Sequence, residues 1–411
     1  MTLHRKAISL RQLRTFKALR FLAILLALVV VLVGARAQTG SAKSFGELAL
    51  RAEDARAKGE ITSAIQLYRT ALAQRPQWQE GWWNYGSILY DANQFLAASN
   101  ALHQLTILNP KLGGAWALLG LSEYETGRYD SALTDLRRAR SIGTGSAPEL
   151  TDVADYHLAV LLNLHGEFEA SNLLLSSLLR RGRKSEDLQV AMGLAFLRVP
   201  LLPSHLDPSK DALIHDAGSL AGTLAEKKYE DAEDGFRMLL EKYPGTNFVH
   251  YNWGAMLAGE GKEAAAEAQF QEETKLNPDS SLAYSEWAYL ESKAGRFAEA
   301  ISIAEQAVAL SDSSFMAHYV LGNALLSAGR AKDAAPHLER ARQLAPEIPE
   351  IRYSLSRAYA KLGENDPARR EQAEFLRLKQ KKQSIQNVDA LKPPSANADS
   401  PAPQANPPAQ P

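Results

Sequence analysis

The sequence predicts an all-α fold, a solenoid of stacked antiparallel helix hairpins, and two observations predict it. Prolines recur with a fixed period, because Pro76 and Pro110 stand 34 residues apart and so do Pro244 and Pro278. Within each period the same residue types return: a small residue near position 8, Gly near 15, Ala at 20 and Pro at 32. A period of 34 residues is typical of helical hairpins that bury their apolar faces against one another.

The N-terminal segment has the pattern of an export signal. The first 20 residues carry six Lys or Arg and no acidic residue, and an apolar run follows from Phe21 to Val33. Ala35 and Ala37 then place small residues at the two positions that a signal peptidase reads. The run is shorter than the ~20 residues of a membrane helix. We therefore expect a signal peptide over 1–37 and a periplasmic or secreted protein. The alternative is an uncleaved anchor that holds the protein in the inner membrane through 21–33.

Charge and cysteine content exclude several classes of function. Without residues 1–37 the chain has 39 Lys or Arg against 47 Asp or Glu, a net charge of −8. An anionic chain argues against general binding of nucleic acid. The sequence contains no cysteine, which excludes disulfides, thiol catalysis and Cys-ligated zinc.

The repeats divide into two predicted arrays. The N-terminal array covers 45–183, and the C-terminal array covers 213–382 and ends in a solvated capping helix. Between them, 184–212 is predicted to be an irregular connecting segment that contains one more apolar helix. Three prolines within Val199–Ser209 predict a break there, because no helix interior tolerates them. Residues 383–411 are rich in Pro and Ala and predict a disordered tail.

The recurring residues resemble those of tetratricopeptide repeat proteins of the exported bacterial type. The resemblance covers most of 45–379, and it departs from the family pattern in the fourth unit, in 187–212, and at Leu220 and Lys227. It implies that positions 8 and 20 face each other where the two helices of a hairpin cross, and that a large residue there would separate the helices. The facing pairs are Gly86 with Ala98, Gly120 with Ala132 and Gly322 with Ala334.

The resemblance also implies a binding groove. In this family the first helix of each hairpin lines the concave face, and ligand contacts lie near positions 2, 5, 9, 12 and 13. Aromatic side chains there suit a peptide, because they give contact area at low entropic cost. The alternative is that these aromatic residues pack against the adjacent unit. The candidate groove residues are Trp83, Tyr90, Tyr124, Phe248, Tyr251, Asn252, Tyr319, Asn323 and Tyr353.

Histidines do not indicate a metal site. His250 and His318 lie two repeats apart at the same position, so they would stand about 20 Å apart across stacked helices. That distance is too great for one ion, and a histidine at the edge of the core is the simpler interpretation. The chain also lacks the metal, phosphate-loop and nucleophile motifs of common enzymes. We therefore expect no metal, no cofactor and no catalysis.

These features predict a non-catalytic scaffold in the bacterial cell envelope that binds a partner protein or peptide. The alternative is a module that binds polysaccharide or assists its secretion, because aromatic rings also stack on sugars. An enzyme with an unrecognised site is the least favoured interpretation.

Overall fold

The computed structural model describes residues 44–145 and 148–390. Every regular element in these ranges is helical, with 19 α-helices and two short 3-10 turns, so the all-α prediction is confirmed. The chain forms two compact units that divide between Leu158 and Ala159. The predicted signal peptide lies outside the described residues, and so does most of the predicted tail. Within the described ranges, no helix is both long and apolar enough to cross a membrane.

The first unit consists of three complete helical hairpins and the start of a seventh helix. The helices are α1 (Phe45–Ala57), α2 (Ile61–Gln74), α3 (Gln79–Asp91), α4 (Phe95–Leu108), α5 (Gly113–Glu125), α6 (Tyr129–Ile142) and α7 (Pro148–Leu164). The division between the units falls inside α7. The two helices of each hairpin are joined by a short loop and pack on each other.

The second unit contains the remaining helices. They are α8 (Phe168–Arg180), α9 (Glu186–Phe196), α10 (Asp211–Ala225), α11 (Tyr229–Lys242), α12 (Val249–Gly259), α13 (Glu263–Leu276), α14 (Ser281–Lys293), α15 (Phe297–Leu310), α16 (Phe315–Ser327), α17 (Ala331–Leu344), α18 (Pro349–Lys361) and α19 (Asn365–Ala390). Helix α19 runs past residue 383, where the sequence predicted the tail to begin.

The turn inside each hairpin needs a left-handed residue, as the glycine at position 15 predicts. Gly127 has φ of 73°, and its N–H donates to the carbonyl of Tyr124 at the end of α5. Glycine adopts this conformation without steric cost. Lys227, which departs from the family pattern, takes the same conformation with φ of 60°. The geometry of the turn is therefore maintained even where the sequence pattern fails.

Close contact between the two helices of a hairpin depends on the small residue at position 8. A Cβ atom on Gly120 would lie 2.8 Å from Cγ of Leu136, and one on Gly322 would lie 2.6 Å from Cγ of Leu338. The expected partners, Ala132 and Ala334, are fully buried but are not the nearest side chains. The helices are close at the predicted position too, because the added Cβ of Gly120 would lie 3.2 Å from the carbonyl oxygen of Ala132, but the side chain nearest to the glycine is the leucine one turn further along. Gly86 likewise faces Leu102 rather than Ala98.

The proline-rich segment 199–209 interrupts the helical pattern with two 3-10 turns, Pro203–His205 and Pro208–Lys210. The helices on its two sides nevertheless pack directly on each other. A Cβ atom on Gly193 of α9 would lie 2.0 Å from the carbonyl oxygen of Ile214 on α10. One on Gly218 of α10 would lie 2.0 Å from that of Gln189 on α9. The segment therefore links two helices in backbone contact within the second unit.

Candidate binding surface

The candidate aromatic residues of the first unit take part in packing. The ring of Trp83 on α3 lies against Gly114 of α5, where a Cβ atom would be 3.3 Å from Cη2. Tyr90 meets Phe95 edge to face, with the ring centroids 5.4 Å apart. These rings are half-buried, and burial raises the pKa of Tyr90. The contacts of Trp83 and Tyr90 therefore favour the alternative interpretation, in which these aromatic rings pack against neighbouring parts of the chain.

Tyr124 is also half-buried. Its ring lies 4.6 Å from the ring of His157 and 5.5 Å from that of Tyr129, both edge to face. Burial lowers the pKa of His157, which favours the neutral imidazole beside the tyrosine.

In the second unit, Phe248 and Tyr251 surround an arginine that the sequence analysis did not identify. The guanidinium of Arg198 lies 5.0 Å from the ring of Phe168, 5.5 Å from that of Phe248 and 5.8 Å from that of Tyr251. Both terminal nitrogens also donate to Oε1 of Glu169, at 2.7 and 2.6 Å. This arrangement uses cation–π attraction and a charge-assisted hydrogen bond at once. We call these five residues the Arg198 cluster.

Two residues of the Arg198 cluster have a left-handed backbone conformation. Arg198, in the turn that ends α9, has φ of 54°, and Phe248, directly before α12, has φ of 67°. The start of α12 is fixed by Glu273, whose carboxylate accepts from the N–H of Phe248 at 2.7 Å and from that of Tyr251 at 3.2 Å. Because left-handed backbone is costly for residues other than glycine, these contacts must hold it.

The side-chain amide of Asn252 is occupied within the chain. Its Nδ2 donates to the carbonyl oxygen of Phe196 at 2.8 Å and to that of Phe248 at 2.7 Å. Nδ2 of Asn163 donates to the carbonyl of Val199 at 2.8 Å and to that of Leu201 at 3.3 Å. The side-chain amides of Asn163 and Asn252 thus donate to backbone carbonyls within residues 196–201. The Nδ2 group of Asn252 thus has partners inside the chain, and the contact of Asn252 with an external ligand stays a prediction.

Tyr319, Asn323 and Tyr353 come together at the C-terminal end of the second unit. Burial raises the pKa of Tyr319, and hydrogen bonds with Ser354 and Asn323 partly offset that effect. The ring of Tyr353 is 45% exposed and lies 5.4 Å from the ring of Phe375 on α19. This group keeps an aromatic surface in contact with solvent.

A cleft of ≈ 460 Å³ opens beside these rings. We call it the C-terminal cleft. It lies between α16, α18 and α19, and its wall combines aromatic rings, a proline and charged side chains. The lining residues are Tyr319, Pro349, Glu350, Tyr353, Phe375, Lys379, Lys382 and Gln383.

The charges in the C-terminal cleft are unevenly paired. Nζ of Lys382 lies 3.9 Å from the carboxylate of Glu350. Nζ of Lys379 lies 5.7 Å from the ring of Phe375 and forms no ion pair with any residue between 44 and 383. The cleft therefore offers one ammonium group to an incoming carboxylate.

The α19 side of this cleft was not predictable from the repeat pattern, because a capping helix carries no repeat register. The sequence feature that could have indicated this side of the cleft is Phe375, an aromatic residue in a charged stretch.

The two repeat histidines each contact the second helix of their own hairpin. Nδ1 of His250 lies 2.6 Å from Oε1 of Gln269, and Nδ1 of His318 lies 3.1 Å from Nδ1 of His337. His318 is 4% exposed and its Nε2 lies 3.2 Å from the carbonyl of Asp312. In the part of the chain that the structure describes, no group of three or more His, Asp or Glu could hold a metal ion.

Comparison with known proteins identifies the repeats. Models of the tetratricopeptide repeat match residues 50–95, 86–147 and 285–347, and a second model of this repeat matches 325–381. These ranges include α16 and α18, which form two sides of the C-terminal cleft. No curated protein matches the sequence significantly.

Solved structures resemble the chain weakly. MamA from Desulfovibrio magneticus RS-1 is 19% identical, with 42% of this chain and 97% of that chain covered and a TM-score of 0.37. The Cut9–Hcn1 hetero-tetramer of the APC/C is 13% identical, with 85% and 89% covered and a TM-score of 0.36. Yeast Tom70 is 13% identical, with 84% and 95% covered and a TM-score of 0.31. The repeat models and the helical hairpins agree, and residues 50–147 and 285–381 of the chain are tetratricopeptide repeats.

Proposed function

We propose that this protein is a non-catalytic scaffold that binds a peptide segment of a partner protein in the C-terminal cleft. The observation that carries the proposal is the combination of an open volume, an aromatic ring that is 45% exposed and an ammonium group with no carboxylate paired to it among residues 44–383. The other candidate aromatic residues are engaged in packing or in the Arg198 cluster. The tetratricopeptide fold supports a role in protein–protein interaction.

The chemistry of the cleft favours a particular kind of segment. Tyr353 and Phe375 provide flat apolar faces for aliphatic or proline side chains. Lys379 attracts a carboxylate, and because Glu350 is paired with Lys382, the cleft has one uncompensated positive charge and matches a single acidic residue. A segment with one acidic residue close to apolar residues matches both properties.

The location that we propose is the bacterial cell envelope. It rests on the basic, apolar and small-residue pattern of 1–37. Release into the periplasm or retention by residues 21–33 would both place the repeats in that compartment.

The proposal can be tested by crosslinking and affinity capture from intact envelopes. A Tyr353→Ala/Lys379→Ala variant should capture about tenfold less of a defined partner than the parent chain, since both contacts are lost. The matched control is Tyr229→Ala, which removes a tyrosine that is 38% exposed on α11. That control should capture as much as the parent.

Equal capture by the parent and by the cleft variant would contradict the proposal. Capture of glycan alone would favour a polysaccharide-binding module instead. Circular dichroism of each variant would verify that the helices are intact.

A further inference from the structure

We propose that, when no partner is bound, the C-terminal cleft is occupied by the proline-rich tail of the same chain, residues 391–411. The tail would act as a tethered competitor of the partner peptide. This inference rests on the proposed function of the cleft, although its test does not require a partner.

The composition of the tail matches the cleft. Residues 391–411 contain seven prolines, one acidic residue, Asp399, and no aromatic residue. Proline-rich segments favour the extended polyproline II conformation and dock on aromatic-lined grooves at low entropic cost. Tyr353 and Phe375 supply such rings, and Lys379 supplies a cation for Asp399.

The tail is long enough to reach the cleft. It follows directly from α19, which carries Phe375 and Lys379 and ends at Ala390. The helical rise from Lys379 to Ala390 is about 17 Å. The stretch from Ala390 to Asp399 can span about 30 Å when extended, which exceeds that rise. Pro393 and Pro394 cannot continue a helix, so the chain can turn back there.

Because the tail is tethered to the cleft, weak contacts are enough for the tail to occupy it. A short flexible linker gives an effective concentration in the millimolar range, so a dissociation constant near ~1 mM would fill the cleft about half of the time. A partner peptide would then bind with an apparent affinity reduced by the occupied fraction. At half occupancy the tail would therefore raise the apparent dissociation constant of a partner peptide about twofold.

The absence of cysteine from the sequence allows a direct measurement in the full chain. We would introduce Ala360→Cys on the exposed surface of α18 and Ala402→Cys in the tail, and attach spin labels to both. Double electron–electron resonance then reports the distance between the labels. We expect a narrow distance population in the parent chain.

Two variants test the origin of that population. Tyr353→Ala/Lys379→Ala removes the cleft contacts, and Asp399→Lys/Pro401→Gly/Pro403→Gly changes the tail while leaving the folded units intact. Both should lose the narrow population, and the control Tyr229→Ala should keep it. A broad distribution in the parent chain, or a narrow one that survives in both variants, would overturn the proposal.

The outcome is separable from that of the proposed function. A chain that captures a partner through the cleft but shows a broad distance distribution would refute the tail and leave the scaffold function standing. A docked tail in a chain whose capture of partners does not depend on Tyr353 would support the tail proposal and refute the proposed binding function of the cleft.

Discussion

Hairpin α12/α13 and hairpin α16/α17 are the same structure in two settings. Their residues correspond at a separation of 68 positions, so His250 matches His318 and Tyr251 matches Tyr319. In the first hairpin, Tyr251 is covered by Arg198 and its neighbours. In the second, Tyr319 lines the C-terminal cleft. The difference comes from what lies next to each hairpin, the 196–201 segment in one case and α19 in the other.

The histidine pairs differ as well. His250 faces the amide of Gln269, which stays neutral at every pH, whereas His318 faces a second imidazole. Two neutral imidazoles can share one N–H···N hydrogen bond, but two protonated rings repel each other. We therefore expect His337, on the second helix, to make the hairpin beside the cleft sensitive to acid.

The largest expected effect on stability comes from the glycine at position 8, which both hairpins share. Gly254→Leu and Gly322→Leu should each lower the free energy of unfolding by about 3 kcal/mol, because a Cβ would already lie 2.7 Å from Phe270 or 2.6 Å from Leu338. Gly259→Ala is the control, since nothing lies within 4 Å of its added Cβ. Denaturant titration measures all three. A mild loss in either leucine variant would mean that the helices can move apart.

A smaller effect should separate the two hairpins. Arg198→Ala removes the guanidinium from Glu169 and from three aromatic rings, and should cost about 1–2 kcal/mol. It should also speed amide hydrogen exchange at the start of α12 while leaving α16 unchanged. Arg330→Ala, whose ion pair with Asp333 is about half exposed, is the control and should cost under ~0.5 kcal/mol. Equal effects in the two variants would show that the Arg198 cluster contributes little.

The smallest expected effect is the response to pH. Burial and the neighbouring His318 lower the pKa of His337, although Glu305, Asp312 and Asp333 partly oppose this shift. The unfolded chain therefore binds more protons below about pH 6.5, and stability is lost as the pH falls. We expect a slope below ~1 kcal/mol per pH unit, because the ring of His337 is partly solvated.

Exchanging the two second-helix residues tests this explanation. His337→Gln should flatten the decrease in stability between pH 7 and pH 5, and Gln269→His should steepen it. Thermal melts of both variants across that range provide the measurement. If neither variant changes the slope, other groups dominate the acid response.

The fold was predictable from sequence because repeat packing is local. The glycine at position 15 and the small residue at position 8 each meet partners within their own hairpin, so one period contains the information. The side chain that packs closest to Gly120 was not predictable, since Leu136 and Ala132 lie on the same face of their helix.

The candidate surface was only partly predictable because its contacts join distant parts of the chain. Arg198 meets Phe248 across 50 residues, and it lies in the connecting segment 184–212, which departs from the repeat pattern. Tyr353 was identified from its position in the repeat. Phe375 and Lys379 were not, because α19 departs from the periodic pattern.

The contact between α9 and α10 has a consequence for tracing the descent of this protein. Gly193 and Gly218 each meet a backbone carbonyl, so no compensating side-chain substitution can make room for a larger residue. Elsewhere in the array, an enlarged position 8 can be accommodated by a smaller leucine partner. We therefore expect Gly193 and Gly218 to be retained in homologues that keep the contact between α9 and α10, even where their repeats have diverged beyond recognition.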